Sequence, residues 1–166
     1  MIVNRLVVLD TNCLIQILGM HSKYRFLWSE FMSYRYTLCI SNEILHEYEE
    51  ILSQKASPLV ADMFLKVLAR SKNVIRKDPY FRFNLIASDV DDNKFVDCAI
   101  VCGADYIVSN DAHFNCLRNH PFPVVKVISL EDFAADMHDT LPNTYGVIDE
   151  DRTMVNEPQL EYKTSK

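Results

Sequence analysis

Glycine is scarce in this sequence, and the glycine-rich phosphate loops are missing. Only three of the 166 residues are Gly, and neither G-x-G-x-x-G nor G-x-x-x-x-G-K-[ST] occurs. Common dinucleotide- and nucleoside-triphosphate-binding folds use those loops to bring backbone N–H groups close to phosphates. The sequence therefore predicts that no nucleotide cofactor of these kinds is bound.

Long apolar runs are missing as well. No run approaches the roughly 20 apolar residues that a membrane-spanning helix needs, and a strand pattern begins at the N-terminus with no signal peptide before it. Hydrophobic residues make up 49% of the chain and charged residues 24%, which is an ordinary soluble composition. We expect a cytoplasmic protein that does not contact a membrane.

The sequence also lacks the spacings that are typical of zinc sites. The five Cys residues form no C-x-x-C, and the five His residues form no H-E-x-x-H or other paired spacing. Zinc sites in proteins usually show such spacings. We therefore interpret the Cys residues, which lie in apolar segments, as buried small side chains.

Positive charge is in deficit, because the formal net charge is −6. Broad, non-specific binding to nucleic acid depends on many Lys or Arg contacts to phosphates, so this balance argues against it. It leaves open a small site in which metal ions supply the positive charge.

Strand-like apolar runs alternate with helical periods along the chain. This alternation predicts an α/β fold, with a parallel sheet covered by helices on both faces. Predicted strands cover residues 5–9, 36–40, 74–75, 106–108 and 124–128; predicted helices cover 11–18, 22–34, 41–54, 57–71 and 92–102, with a short helical turn over 112–117 and a last helix from 129.

A change of composition divides the chain into two parts. From about residue 139 onward the sequence is polar and shows no sustained period. We expect a single domain over residues 1–138, because this length allows one sizeable core. Residues 139–166 are predicted to be a polar C-terminal extension, either flexible or wrapped on the surface.

Two carboxylates stand out near the middle of the chain. Asp92 lies in line with the apolar stripe of the helix that follows it, whereas Asp97 points away from that stripe. A charge on the stripe is tolerable in the first turn, where the helix dipole favours it. Asp111 comes just past the strand 106–108, and ligands of open parallel sheets bind at the carboxyl ends of strands. Asp92 and Asp111 are therefore a candidate metal or catalytic pair.

Two further carboxylates join this pair in the predicted fold. Asp10 follows the first strand, and Glu47 lies at the border of the apolar stripe of the helix 41–54. Four like charges on one rim raise each other's pKa, and a divalent ion relieves the repulsion. Ligands that are all oxygen select Mg²⁺ or Mn²⁺ over zinc. The alternative is that these residues are only helix caps, turn residues and solvated charges.

Four short motifs resemble the PIN-domain family, and in particular its VapC-type toxins of toxin–antitoxin pairs. They are L-D-T-N at 9–12, S-N-E-I-L-H-E-Y at 41–48, D-D-N-K-F-V-D-C-A at 91–99 and A-D-Y-I-V-S-N-D at 104–111. The resemblance covers about residues 3–134. It implies a Rossmann-like α/β/α sandwich, a Mg²⁺- or Mn²⁺-dependent ribonuclease, a cognate antitoxin as protein partner, and a homodimer.

The resemblance also implies roles for individual residues. The family's four metal-binding and catalytic acids fall on Asp10, Glu47, Asp92 and Asp111, with Asn12 and Ser109 as supporting residues. Asp97 also matches a frequent family residue, but its predicted direction argues against a ligand role. Asp89 and Asp91 are flanking acids with no assigned use.

The predicted reaction is metal-assisted hydrolysis of RNA phosphodiester bonds, with 5′-phosphate and 3′-hydroxyl ends implied by the resemblance. Two alternatives stay open. One is a metal-dependent phosphatase, although an Asp nucleophile of that kind usually has a second Asp two residues on, where this chain has Asn12. The other is an acidic module that binds a protein partner without catalysis.

The segment 77–91 allows two interpretations. It carries Lys77, Arg82 and the aromatic residues Tyr80, Phe81 and Phe83, and Arg76 precedes it. These side chains either contact phosphates and bases of a nucleic acid or only pack the loop onto the domain.

Overall fold

A five-stranded parallel sheet forms the centre of the computed structural model, which describes residues 4–139. Its strands lie in the order β3-β2-β1-β4-β5 and all pairs are parallel. They are β1 (Arg5–Leu9), β2 (Tyr36–Ile40), β3 (Val74–Arg76), β4 (Tyr106–Val108) and β5 (Val127–Ile128). The strand order reverses between β1 and β4, and this switch point is where open α/β sheets bind their ligands.

Helices enclose the sheet. They are α1 (Thr11–Leu18), α2 (Arg25–Met32), α3 (Asn42–Lys55), α4 (Pro58–Arg70), α5 (Asn93–Cys102) and α6 (Leu130–Asp139), with a 3-10 helix at Ala112–Asn119. All five residues of β2 are buried. Because successive side chains of a strand point to opposite faces, both faces of the sheet must be covered. The fold is therefore the three-layer α/β/α sandwich that the sequence predicts.

Local sequence signals set the helix boundaries. The hydroxyls of Ser41 and Ser57 accept hydrogen bonds from the backbone N–H groups three residues later, which caps α3 and α4. Gly103 ends α5 in the left-handed conformation at φ 64°, which costs glycine little. These boundaries confirm the predicted helices within one or two residues, apart from α2, which is shorter at both ends.

The last strand is shorter than predicted. The sequence pattern predicts a strand over 124–128, but only Val127 and Ile128 pair with β4. The carbonyl of Lys126 accepts from the backbone N–H of Ile107 at 2.9 Å, and β4 begins at Tyr106, so the residues before Lys126 have no ladder to join. Val124 is exposed there, and the bond between Phe122 and Pro123 is cis.

Two other expectations concern the rest of the chain. No helix within residues 4–139 is long and apolar enough to cross a membrane. The predicted polar extension falls, apart from its first residue, on residues that lie outside those described.

The last three residues of the central strand β1 are buried. Leu9 at its end is 1% exposed, whereas Leu59 on α4 is 67% exposed. We expect Leu9→Ala to lower the free energy of unfolding by about 2–5 kcal/mol, because it removes buried methyl groups and leaves a cavity. Leu59→Ala should change it by less than about 0.5 kcal/mol. Urea unfolding of both variants measures the difference, and equal losses would contradict this account of the core.

Candidate metal centre

Asp10 lies where β1 ends, at the carboxyl edge of the sheet. Its backbone N–H donates to the carbonyl of Val108, so the residue continues the ladder between β1 and β4. The buried carboxylate accepts a hydrogen bond from the hydroxyl of Ser109 at 2.8 Å and another from the backbone N–H of Asn12. Burial raises the pKa of Asp10, and the charges of Glu47 and Asp111 raise it further, against the effect of these hydrogen bonds.

Ser109 connects Asp10 to Asp111. Its hydroxyl donates to Asp10 and accepts from the backbone N–H of Asp111 at 3.0 Å. Asp111 in turn accepts from the backbone N–H of His113 at 2.9 Å and so caps the 3-10 helix. One buried hydroxyl therefore fixes the relative positions of two carboxylates that follow neighbouring strands.

Asp92, at the start of α5, is a carboxylate whose pKa is strongly raised. Its pKa is raised to about 6, first by burial and then by the charges of Asp89, Asp10 and Asp111. Its Oδ2 atom is buried and lies 3.4 Å from Nδ1 of His113, which lowers the pKa and so opposes part of this shift. A cation bound at this oxygen would stabilise its charged form further.

Glu47 reaches the centre from α3 and is held on both sides. Its Oε1 accepts from the hydroxyl of Thr11 at 2.5 Å, and its Oε2 is paired with the ammonium group of Lys94. Lys94 also pairs with Asp91 at 2.8 Å. Thr11 and Lys94 thus fix the direction of Glu47, whose charge acts on Asp10.

His113 is a member of the centre that sequence reasoning missed. Its Nδ1 lies 3.2 Å from Asp111 Oδ1, 3.4 Å from Asp92 Oδ2 and 3.7 Å from Asp89 Oδ2. Asp89, Asp92 and His113 each offer one ligand atom, and these atoms lie within 4.8 Å of one another. The sequence signal that could have identified His113 is its position two residues after Asp111, on the helix that Asp111 caps. A search for pairs of His residues could not have identified it.

Asp97 has a different place from the acids of the centre. Its helical position is turned from the stripe that packs on the sheet, yet its side chain is fully buried. The reason is that the loop between β3 and α5 covers this side of the helix. Asp97 accepts from the backbone N–H of Phe83 at 3.1 Å, and its other oxygen lies 3.9 Å from Arg82. It contacts the loop rather than the acidic centre.

Asn93 holds the acidic turn that carries Asp89 and Asp92. Its buried side chain accepts from the backbone N–H of Ile86 at 2.9 Å and donates to the carbonyls of Ile86 and Val90 at 2.8 and 3.1 Å. Three hydrogen bonds from one side chain therefore close the turn. The other predicted supporting residue, Asn12, has an exposed side chain and contributes its backbone N–H instead.

The loop before this turn presents aromatic rings to solvent. Tyr80 is 94% exposed and Phe81 is 76% exposed. Of the nearby cations, Arg82 pairs with Glu43. Arg76 donates at 2.9 Å to the neutral amide of Asn42, and Lys77 is exposed. Phosphate contacts from this loop and base stacking on the two rings both stay predictions.

The fold and the centre together define a class: an α/β domain with buried and half-buried carboxylates at the carboxyl edge of a parallel sheet. The family comparison is more specific. A model of the PIN domain matches residues 6–113, and the chain belongs to the PIN domain family. PIN domains are nucleases, so the family places this chain among the nucleases.

A solved structure gives the same fold. The crystal structure of VapBC2 from Rickettsia felis, bound to a DNA fragment from its promoter, matches with a TM-score of 0.52 and 16% sequence identity. The match covers 75% of this chain and 98% of the other. At this identity the likeness supports the fold and leaves the activity to other arguments. No curated protein matches the chain.

The raised pKa of Asp92 predicts how stability depends on pH when no metal is present. Between the unfolded value of about 3.9 and the folded value of about 6, the folded state binds more protons, so this group's contribution falls as pH rises. Asp92→Asn removes that penalty. We expect the variant to be more stable than the wild type at pH 7.5, by on the order of 1 kcal/mol after solvent screening, and the gain to shrink towards pH 4.5.

Unfolding by urea in EDTA at both pH values measures this gain. The matched control is Asp62→Asn, which removes an exposed carboxylate on α4 that pairs with Lys66. The control should show no gain at pH 7.5. An Asp92→Asn protein that is less stable than the wild type at pH 7.5 would mean that the carboxylate is not repelled by its neighbours.

The three hydrogen bonds of Asn93 predict a second effect. Asn93→Ala leaves buried backbone groups of the turn without partners, so we expect it to lower the free energy of unfolding by about 2–4 kcal/mol. Amide hydrogen exchange should become faster over residues 86–92. Asn119→Ala, at an exposed position, is the control and should change neither quantity. Unchanged exchange in the turn would contradict the role given to Asn93.

Proposed function

We propose that this protein is a Mg²⁺- or Mn²⁺-dependent endoribonuclease and the toxin of a toxin–antitoxin pair, acting in the cytoplasm. The observation that supports the proposal is a set of contacts: Nδ1 of His113 lies 3.4 Å from Asp92 and 3.2 Å from Asp111. The hydroxyl of Ser109 joins the carboxylate of Asp10 to the backbone of Asp111. The charges of Asp10 and Asp111 both raise the pKa of Asp92, as expected for like charges placed to share one cation. Membership of a nuclease family supports the same chemistry.

The residues of the centre fit a hard divalent ion. Asp10, Asp92 and Asp111 offer carboxylate oxygens, and the buried Oδ2 of Asp92 lies within 4.8 Å of ligand atoms of Asp89 and His113. Glu47 adds a fourth carboxylate from α3. Oxygen ligands favour Mg²⁺ or Mn²⁺ over zinc. An ion held by these residues supplies Lewis-acid polarisation of the phosphate and makes water a stronger nucleophile.

The protein's own groups orient this chemistry. Ser109 joins the carboxylate of Asp10 to the backbone N–H of Asp111. Thr11 and Lys94 fix Glu47. Rigid placement of this kind lowers the cost of reaching the transition state, because little reorganisation is needed when charge develops. Hydrolysis requires no Cys or His nucleophile, and the 3′-oxygen of the RNA is the leaving group.

The partner assignments rest on the PIN-domain likeness. A PIN-domain toxin would be bound by a cognate antitoxin. The crystal structure that resembles this fold is that of VapBC2. The resemblance likewise supports RNA as the substrate and a homodimer as the assembly.

One observation favours protein binding as a second function. A groove of 960 Å³ between α3 and the acidic turn is lined by Glu43, Glu47, Glu50 and Asp91. Arg82 and Lys94 line the same groove and pair with three of these acids. A basic segment of a partner protein would bind there by taking the place of these two cations. This function is compatible with catalysis, because Glu47 belongs to both the groove and the centre. No comparable feature favours a phosphatase.

Cleavage of an end-labelled structured RNA tests the proposal. We expect the purified protein to cut it with Mn²⁺ or Mg²⁺ and not with EDTA. Asp92→Asn should lower the rate at least about 100-fold, since it removes a metal ligand. Asp62→Asn should keep the full rate.

Calorimetric titration with Mn²⁺ separates the possible failures. A folded wild type that binds Mn²⁺ but cuts no RNA would contradict the ribonuclease assignment. Equal cleavage by the wild type and Asp92→Asn would contradict the site.

A further inference from the structure

Two clefts adjoin the acidic centre on opposite sides. The Glu47-side groove lies between α3 and the acidic turn and also contains Arg82 and Lys94. The Asp111-side cleft lies between the 3-10 helix and the start of α6, and has a volume of about 250 Å³. Its polar lining includes Asn110, Asp111, Asn115, Arg118, Ser129 and Asp132. Each of these clefts offers a path along which an RNA strand could leave the centre.

The Glu47-side groove is poorly suited to a phosphate. Arg82 is paired with Glu43 and lies 3.9 Å from Asp97, and Lys94 is paired with Glu47 and Asp91. Both cations are therefore neutralised by carboxylates of the protein. A phosphate entering this groove would have to displace one of these ion pairs or approach unpaired acids.

The Asp111-side cleft has a free cation. Arg118 is exposed and forms no ion pair with any residue in the range 4–139. Two acids share the cleft: Asp111 belongs to the acidic centre, and Asp132 accepts from the hydroxyl of Ser129 at 2.8 Å at the start of α6. Neither acid forms an ion pair with Arg118 in the described part of the chain, so the guanidinium group is available to a ligand.

Two amide side chains lie in the same cleft. Asn110 accepts from the backbone N–H of Leu130 at 3.0 Å through its oxygen, which leaves its NH₂ group as the donor side. Asn115 is exposed one turn before Arg118. The cleft is smaller than the roughly 300–1,000 Å³ of pockets that bury whole drug-sized ligands. It suits a small anionic group that needs several N–H donors.

We infer that Arg118 binds a backbone phosphate of the RNA next to the phosphate that is cleaved at the acidic centre. The inference rests on the proposed function and adds to it a subsite and a path for the substrate. A guanidinium group binds phosphate through two parallel hydrogen bonds, with geometric specificity that an ammonium group lacks. In a chain of net charge −6, one unpaired Arg beside the centre is a large part of the available attraction.

The salt dependence of RNA binding tests this subsite. The parent is Asp10→Asn protein, which should not cut RNA, and the probe is an unstructured single-stranded RNA with a fluorescent 5′ end. Affinity is measured by anisotropy from about 50 to 200 mM NaCl at fixed Mg²⁺. Adding Arg118→Gln should weaken binding about fivefold at the lowest salt. It should also reduce the slope of log K against log salt by about 0.7, the value for one phosphate contact on a single strand.

Two further substitutions in the same parent serve as controls. Arg70→Gln makes the same charge change at the exposed end of α4 and should leave the slope unchanged. Arg118→Lys keeps the charge, so it should restore most of the slope while losing the two-point geometry. All variants should unfold at the same urea concentration as the parent.

The outcomes distinguish this inference from the proposed function. If Arg118→Gln and the parent show the same slope, or if the parent binds no RNA at low salt, the subsite is overturned. The proposed function is judged separately by cleavage with the wild type. If the slope of log K against log salt is reduced in Arg118→Gln and unchanged in Arg70→Gln, the subsite is supported, whatever the cleavage rate is.

Discussion

Repulsion among carboxylates at one edge of the sheet is the constraint on which this domain depends. Asp10 and Asp111 follow β1 and β4, which are neighbours because the strand order reverses between them. Asp92 is added by the start of α5, and burial together with these charges raises its pKa to about 6. Such an arrangement is costly without a cation, so the fold must hold the acids in place by other contacts.

Those contacts come from polar groups that surround the acids. Ser109 ties Asp10 to Asp111, and Thr11 and Lys94 hold Glu47. Asn93 closes the acidic turn through three hydrogen bonds to the backbone. The centre is therefore preorganised by the chain itself, and a bound ion has little structure left to impose. The proposed RNA substrate is compatible with this small, acidic protein, because a bound divalent ion would reverse the charge balance only locally.

Sequence reasoning reached the parts of this arrangement that depend on local pattern. Alternating strands and helices predict the parallel sheet, and the rule that sites lie at strand ends selects Asp10 and Asp111. Contacts between distant segments could not be predicted in this way. Lys94 contacts Glu47 because α5 packs beside α3. His113 contacts Asp92 only in the folded chain. The burial of Asp97 depends on how a loop folds over α5, and the length of β5 depends on its partner strand. No period in the sequence encodes such contacts.

Paramagnetic broadening by Mn²⁺ tests most directly whether the acids form one metal centre. Substoichiometric Mn²⁺ is added to isotope-labelled, metal-free protein, and backbone amide resonances are followed by NMR. The account predicts selective loss of signals from residues 10–12, 89–93 and 109–113, while α4 on the other side of α3 keeps its signals. Broadening centred elsewhere, or none at Mn²⁺ concentrations that support metalloenzymes, would contradict the claim that these carboxylates hold the ion.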